Sequence, residues 1–495
     1  MNTKTLFNLF SISVVLFWLI MISLLVINTH KSNRAIYGIS PTTDIKTQER
    51  REWKEIFFKN RKVGYALTIL NPIKDDGYFF QEEIYLRMNI MGYLNSMNVI
   101  TQCKLDQKFQ LREFNFRMRS GLMVFHLKGR VVAKELIIER GDGKIIQRIR
   151  LKELPLVSSA LESFFITKRL KVGQSFYIPI FDPTTLSVRP LRIEVAKREK
   201  IRIKRLTFDS YLLRTKLWGR DFKVWISDDG EVLKEEGFLG LTTIRSNAAS
   251  ALSGIKESSG QDLYDIVAIK VERKLTDIPS LRTLKLRLKG IDLSIIDPDI
   301  WDGRRQKRIK DVIVISKERV LHNLFSYKLP FKGKDMEIYL RADINIESDS
   351  PVIKEKAKEI IGSTDNPFWA CKKIVNWVYK TLEKRPMFSF PSALEVLKVK
   401  AGDCNEHAVL TAALLRAVGI PAKVVIGLVY NRGCFYYHAW NEAYMGEWIS
   451  LDSVMNQIPA DVTHLKLIEG GPEKQAKILS FIGKIKIDVM DFTYD

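Results

Sequence analysis

The chain has 495 residues, 79 Lys and Arg against 57 Asp and Glu, and a net charge of +22. That is too long for one ordinary domain, and the 46% apolar content is enough for sizeable cores. Four cysteines are too few for a disulfide framework, and the scattered basic residues come with no helix-turn-helix, zinc-finger or RNA-binding signature, which argues against a nucleic-acid partner.

Residues 6–27, LFNLFSISVVLFWLIMISLLVI, contain no charge and are long enough to span a bilayer of about 30 Å. The run ends in NTHKSN, without the Ala-x-Ala of a cleaved signal, so residues 1–30 are read as an uncleaved transmembrane anchor. Lys4 before the span and Lys31 and Arg34 after it nearly balance. The orientation expected is N-terminus inside. The soluble part would then be periplasmic or extracytoplasmic, on a bacterial inner membrane.

A polar linker follows at 31–50. From 51 to 255 short runs such as EEIYLRMNI, FQLREFNFRMRS and RIEVAKREKIRIKRL alternate apolar with polar or basic residues, the pattern of half-buried antiparallel strands. KDDG, RGDGK and SDDGE supply turns, and one helix is expected near PLVSSALESFFITKRL. Residues 351–495 carry 18 Lys and Arg against 16 Asp and Glu, so nearly all of the net charge lies before them. Most of it comes from outward positions of these strands, a solvated face suited to an anionic membrane surface. Residues 256–348 read as a second small β-rich domain, with strands at LRTLKLRLKGI, DVIVISKE and MEIYLRADI. His126 and His322 are isolated and read as surface or core residues.

Near 350 the texture becomes helical. SPVIKEKAKEIIG starts with Ser-Pro and ends with Gly, and DNPFWACKKIVNWVYKTLEK has Asp365 or Asn366 as a cap with Pro367 in the first turn. Cys371 falls on the apolar face of that helix as a small core residue. SALEVLK is a short helix before AGDCNEHAVLTAALLRAVGIP, a mostly apolar helix that Gly419 and Pro421 stop.

Cys404 lies in the first turn of this last helix, where free backbone N–H groups and the dipole favour a thiolate and could stabilise an oxyanion. Small Gly402 would let a substrate approach closely. PAKVVIGLVY and CFYYHAWNEAYM, joined by NRG, read as a hairpin, with GEWISLDS as a third strand. That arrangement can bring Cys404, His438 and Asp452 together as nucleophile, base and orienting acid. Other readings use the same residues. Cys404 and His407 with Cys434 and His438 are four zinc-type ligands, Cys404 and Cys434 could form a disulfide, and Cys404 could be a packed core thiol. Trp440 and Trp448 flank the site as core aromatics or as cleft walls. Trp369 or Trp377 could donate an indole N–H to an oxyanion.

GDCNEHAVLTAALLRAVGIPAKVVIGLVY, YHAWNEAYMGEWISLDS and PADVTHLKL closely resemble the bacterial transglutaminase-like superfamily, in the right order, over about residues 350–470. The resemblance implies a papain-like α+β core with Cys404, His438 and Asp452 as its triad. Nothing in a thiol mechanism of this kind requires a cofactor, and no compact Asp-rich loop in the matched region suggests calcium. His464 fits the family pattern without a derivable role. Ser453 stands where many relatives have Pro. The whole reads as an α+β chain: transmembrane helix, β-rich antiparallel regions, a transglutaminase-like domain at 349–470 and a C-terminal tail at 471–495. The expected function is a membrane-anchored cysteine enzyme acting on amide bonds of a protein or peptide substrate through a thioester, by transamidation or hydrolysis. The alternative is a non-catalytic, membrane-tethered binding or assembly protein of the cell envelope.

Overall fold

The computed structural model describes residues 49–495 apart from 75, 167–168, 218–219, 238–239, 256–261, 263, 265–266, 320–326, 387–391, 471–473 and 475. The run expected to cross the membrane, 6–27, and His322 lie outside the described residues. Among those described, no helix is long and apolar enough to cross a membrane. The described chain divides into two compact units, one of residues 49–89 and 94–260, the other of 90–93 and 261–495.

The first unit is built on a sheet of fifteen strands from Arg50–Phe58 to Leu241–Ser246, in which the first strand pairs antiparallel with both the second and the last. Period-two alternation is the cause. In the strand Gly77–Ile90, Phe80, Glu82, Ile84, Leu86, Met88 and Ile90 are all buried, while the residues between them are half-buried. The turns close at glycines with positive φ, among them Gly77, Gly143 and Gly230. The expected helix near 155–170 is a short 3₁₀ turn, Ser158–Ala160, continued by Leu161–Ile166.

The second unit joins what the sequence separates. The strand Cys434–Tyr444 pairs with Ala422–Asn431, Trp448–Leu451 and Ile269–Lys270, and Leu465–Glu469 adds to the far side of Ala422–Asn431. The hairpin turn is Arg432–Gly433, both at positive φ, as a two-residue turn matched to strand twist requires. Four helices, Pro351–Ile361, Pro367–Thr381, Ala393–Val399 and Cys404–Ala417, complete this core. Asn366 caps the second by accepting from the Trp369 N–H, with Pro367 in the first turn.

Residues 471–495, expected as a tail, end in a strand, Lys486–Tyr494, that pairs with Leu281–Lys289 in a four-stranded sheet. A strand far away in the sequence, Leu281–Lys289, supplies the partner, and no local pattern reveals such a pairing. That sheet is tied to the α+β core by partly buried polar bonds. Gln306 exchanges hydrogen bonds with both the N–H and the C=O of Lys466. Arg305 pairs with Glu318 at 3.0 Å and donates to the Ala460 carbonyl at 2.9 Å, and Glu318 accepts from the Ser450 N–H. MEIYLRADI, expected as a strand, begins as the 3₁₀ helix Lys334–Tyr339, where Ile338 is 56% exposed. Among the described residues no strand pairs with it, and alternation alone does not supply one.

Candidate active site

Cys404 is the first residue of its helix, and the residues around it hold it there. Asp403 is the N-cap: its side chain accepts from the Asn405 N–H, and Glu406 reaches back to the Asp403 N–H at 2.9 Å, a complete capping box. Gly402 serves this box rather than an open cleft. A Cβ there would lie 2.3 Å from the Cβ and Cγ of Glu406. The helix packs on the strand that carries His438, and the Cys404 sulfur accepts from the backbone N–H of Ala439, the next residue along.

His438 and Asp452 meet directly, Nε2 to Oδ2 at 2.5 Å, with both residues buried. Nε2 is committed to the carboxylate, so Nδ1 is the ring nitrogen with which a thiol would exchange a proton. Asp452 follows the strand Trp448–Leu451, and its Oδ1 accepts from the Val454 N–H at 2.6 Å and the Met455 N–H at 3.2 Å. The loop then closes on itself: Gln457 and Asp452 exchange backbone hydrogen bonds.

The same carboxylate oxygen takes a second imidazole. His464 Nε2 lies 3.1 Å from Asp452 Oδ2, and its Nδ1 lies 3.3 Å from Asp461 Oδ1. Asp461 is fixed by Thr463 and Gln457. A line of four groups results, His438, Asp452, His464 and Asp461. His464 belonged to the sequence pattern, but its role depends on the loop 453–463 folding back, which no spacing shows. Ser453, the departure from Pro, accepts a hydrogen bond from Thr411 at 2.9 Å and so ties the Asp452 loop to the Cys404 helix.

Burial and charge set the protonation states. Burial works against a charge on Asp452, but the His438 and His464 donors outweigh it and hold the carboxyl well below the usual range. Burial likewise opposes charge on His464, and Asp461 and Asp452 outweigh it, raising His464 to about 9. For His438 burial wins over the pull of Asp452, and its pKa lies below the ordinary value, so the ring is neutral. Cys404 is fully buried, and burial together with Asp403, Glu406 and Asp452 pushes its thiol well above the ordinary range. This corrects the expectation of a resting thiolate. The first-turn N–H groups that would favour one are partly taken by Asp403, which also adds a negative charge.

The other expected neighbours fall as follows. His407 Nδ1 bonds the Asp403 carbonyl at 2.5 Å, and burial lowers its pKa to about 4. Trp440 is buried and stacks on His438 with centroids 5.7 Å apart. Trp448 lies under the Lys423 ammonium, 3.9 Å from its ring centre, and Trp369 is 50% exposed. Lys384, unremarked in the sequence, pairs in register with Gly402. Burial lowers its pKa to about 8 although Asp452 pulls the other way.

All four cysteines are free, so Cys404 and Cys434 form no disulfide. Among the described residues, the group with three potential metal-ligand atoms within 4.8 Å of one another is His438, Asp452 and His464, not the Cys-His set considered from sequence. Its arrangement, two imidazole nitrogens on one carboxylate oxygen, is that of hydrogen bonds already made. His126, on the other unit, bonds Asn115 at 2.7 Å.

Residues 354–453 match the model of the transglutaminase-like superfamily core. An uncharacterised protein of Haemophilus influenzae is 27% identical over 206 residues, 34% of this chain, and the chain spans 54% of that relative's length. A candidate cysteine protease from Cytophaga hutchinsonii covers 43% of this chain and 86% of its own, at 17% identity and a TM-score of 0.29. The periplasmic domain of TgpA from Pseudomonas aeruginosa covers 38% and 89%, at 14% identity and a TM-score of 0.24. Structural likeness at this level carries no argument of its own. The family match spans Cys404, His438 and Asp452, and residues 354–453 are a transglutaminase-like superfamily domain.

Proposed function

We propose that the protein is a cysteine enzyme acting on amide bonds, with Cys404 as nucleophile, His438 as general base and acid, and Asp452 as the group that orients the imidazole and stabilises its charged form. The observation that carries this reading is the buried His438–Asp452 hydrogen bond, set beside a helix-capped cysteine that touches the residue after His438. Asp452 fixes the tautomer with the proton on Nε2, which leaves Nδ1 basic. Because the thiol is neutral at rest, His438 removes its proton as attack begins, in the manner of a serine-type triad rather than a preformed ion pair. The sulfur adds to the carboxamide carbon, the C–N bond breaks as His438 returns the proton to the leaving amine, and a thioester remains. Water or an amine then resolves it, giving hydrolysis or transamidation. The substrate is a protein or peptide, and the apolar run 6–27 would hold the enzyme at a bacterial inner membrane with this unit outside the cytoplasm.

The full burial of Cys404 favours a second reading, a non-catalytic binding or assembly protein that keeps the fold. Mass-spectrometric comparison of envelope proteins from cells carrying the wild type or Cys404→Ala separates the two. Cleaved or cross-linked peptides found only with the wild type support the enzyme. Identical peptide maps from both strains, at equal protein levels, refute it.

A further inference from the structure

The first unit buries charge where a sheet of this kind normally buries only apolar side chains. Its register makes three neighbouring rows on one face. Glu52, Thr68 and Glu82 form one row, Lys54, Ala66 and Ile84 the next, and Ile56, Thr243 and Glu235 the third. The short helix Leu161–Ile166 adds Glu162. Lys54 is 5% exposed; it is hydrogen-bonded to Glu162 and lies 3.8 Å from Glu235. Glu82 is equally buried. One ammonium therefore faces the carboxyls of Glu82, Glu162 and Glu235, with Glu52 in the adjoining row.

A cavity of about 80 Å³ opens against these groups. Lys54, Glu82, Glu162 and Glu235 line one part of it, and apolar side chains such as Leu213 and Phe222 line the rest. Among the buried oxygens that line it without a hydrogen-bond partner are Ser158 Oγ, on a residue only 2% exposed, and Glu162 Oε1. Buried acceptors without donors are costly, and a surplus of buried carboxyls over cations is more so. Burial raises the carboxyl pKa values of both Glu82 and Glu235, as expected where positive charge is short.

We propose that this cavity is a binding site for a small primary ammonium compound with a short apolar body. The ammonium supplies three donors and the missing positive charge, directed at Glu82, Glu235 and the Ser158 hydroxyl. The aliphatic and aromatic wall takes the carbon chain. The volume limits the chain: a cavity of about 150 Å³ accommodates benzene, so this one suits an alkyl chain of only a few carbons. An anion would meet a surplus of carboxyls, and a neutral alcohol would leave the charge unbalanced. The proposal concerns the first unit alone and does not depend on the chemistry of Cys404.

Isothermal titration calorimetry of the full chain with n-propylammonium chloride, 1-propanol and sodium propionate is the test. The expected result is saturable one-site binding of propylammonium, without saturable binding of the alcohol or the carboxylate. Glu82→Gln should weaken it at least about tenfold, and Ser158→Ala more modestly. Where circular dichroism shows that Glu82→Gln does not fold, Glu235→Gln carries the same expectation. Failure of all three compounds to bind would mean that the cavity holds only water. That outcome overturns the proposal, as would equal affinity for propanol or unchanged affinity in the folded carboxamide variants.

Discussion

At the scale of single residues, the site is a chain of hydrogen bonds whose charges are set by burial and by the paired groups that oppose it. Asp452 accepts from two imidazoles and two backbone N–H groups, so Asp452→Asn changes the tautomer of His438 as well as the charge. On an amide substrate kcat should fall on the order of 10³–10⁴-fold, with the fold retained by circular dichroism. His464 gives a pH signature. Its pKa is raised from 6.5 to about 9 in the folded state, so its contribution is fully present below about 6.5 and is lost as pH rises through about 9. Its partner Asp461 is held below the ordinary range, where Asp461 works in the opposite sense: that share is present above about 4 and is lost in acid. His464→Gln should therefore cost on the order of 3 kcal/mol near pH 6 and much less above pH 10, read from unfolding midpoints across pH. The grouping of Cys404, His438 and Asp452 was legible because residues of these types recur in order on a helix, a strand and a strand end; their catalytic roles are the ones proposed above. The roles of His464 and Asp461 were not legible, because a loop of irregular backbone brings His464 to Asp452 and Asp461 to His464. The protonation state of Cys404 was also hidden, since it depends on the carboxylates and the burial that surround the helix start.

At the scale of elements, the start of the Cys404 helix depends on a glycine packed under a glutamate. Gly402→Ala would press its Cβ into the Glu406 side chain and displace the capping bond to the Asp403 N–H. The expected cost is about 1–3 kcal/mol in denaturant unfolding, with a parallel loss of activity because Cys404 moves with the first turn. Thr411→Val removes the bond to Ser453 and should cost about 1 kcal/mol in the same measurement, by loosening the Asp452 loop from the helix. Helix starts and stops were readable from Asn366, Pro367 and Gly419, whose chemistry is local. The hairpin was readable from two apolar runs and its turn. MEIYLRADI misled because its alternation fits a strand, and only the absence of a pairing edge decides otherwise.

At the scale of the whole molecule, the boundaries of the second unit are set by contacts distant in sequence. Arg305, Gln306 and Glu318 reach the strands and loops around Asp452, and the last strand pairs with Leu281–Lys289. A fragment of residues 349–470 should accordingly be unfolded or insoluble when expressed alone, and one of residues 262–495 should fold cooperatively, as judged by circular dichroism and thermal unfolding. The sequence suggested the β-rich texture of both regions but not this union, because period-two patterns identify strands without naming their partners.

Cys404 is proposed above as a nucleophile served by His438. Cys371 is an internal control, since it is equally buried and burial also raises its thiol pKa. The direct measurement is the rate of iodoacetamide alkylation at each cysteine by peptide mass spectrometry, in the wild type and in His438→Ala. Cys404 should react at least about tenfold faster than Cys371, and His438→Ala should remove the difference. Equal rates at the two cysteines, or a Cys404 rate indifferent to His438, would contradict that role.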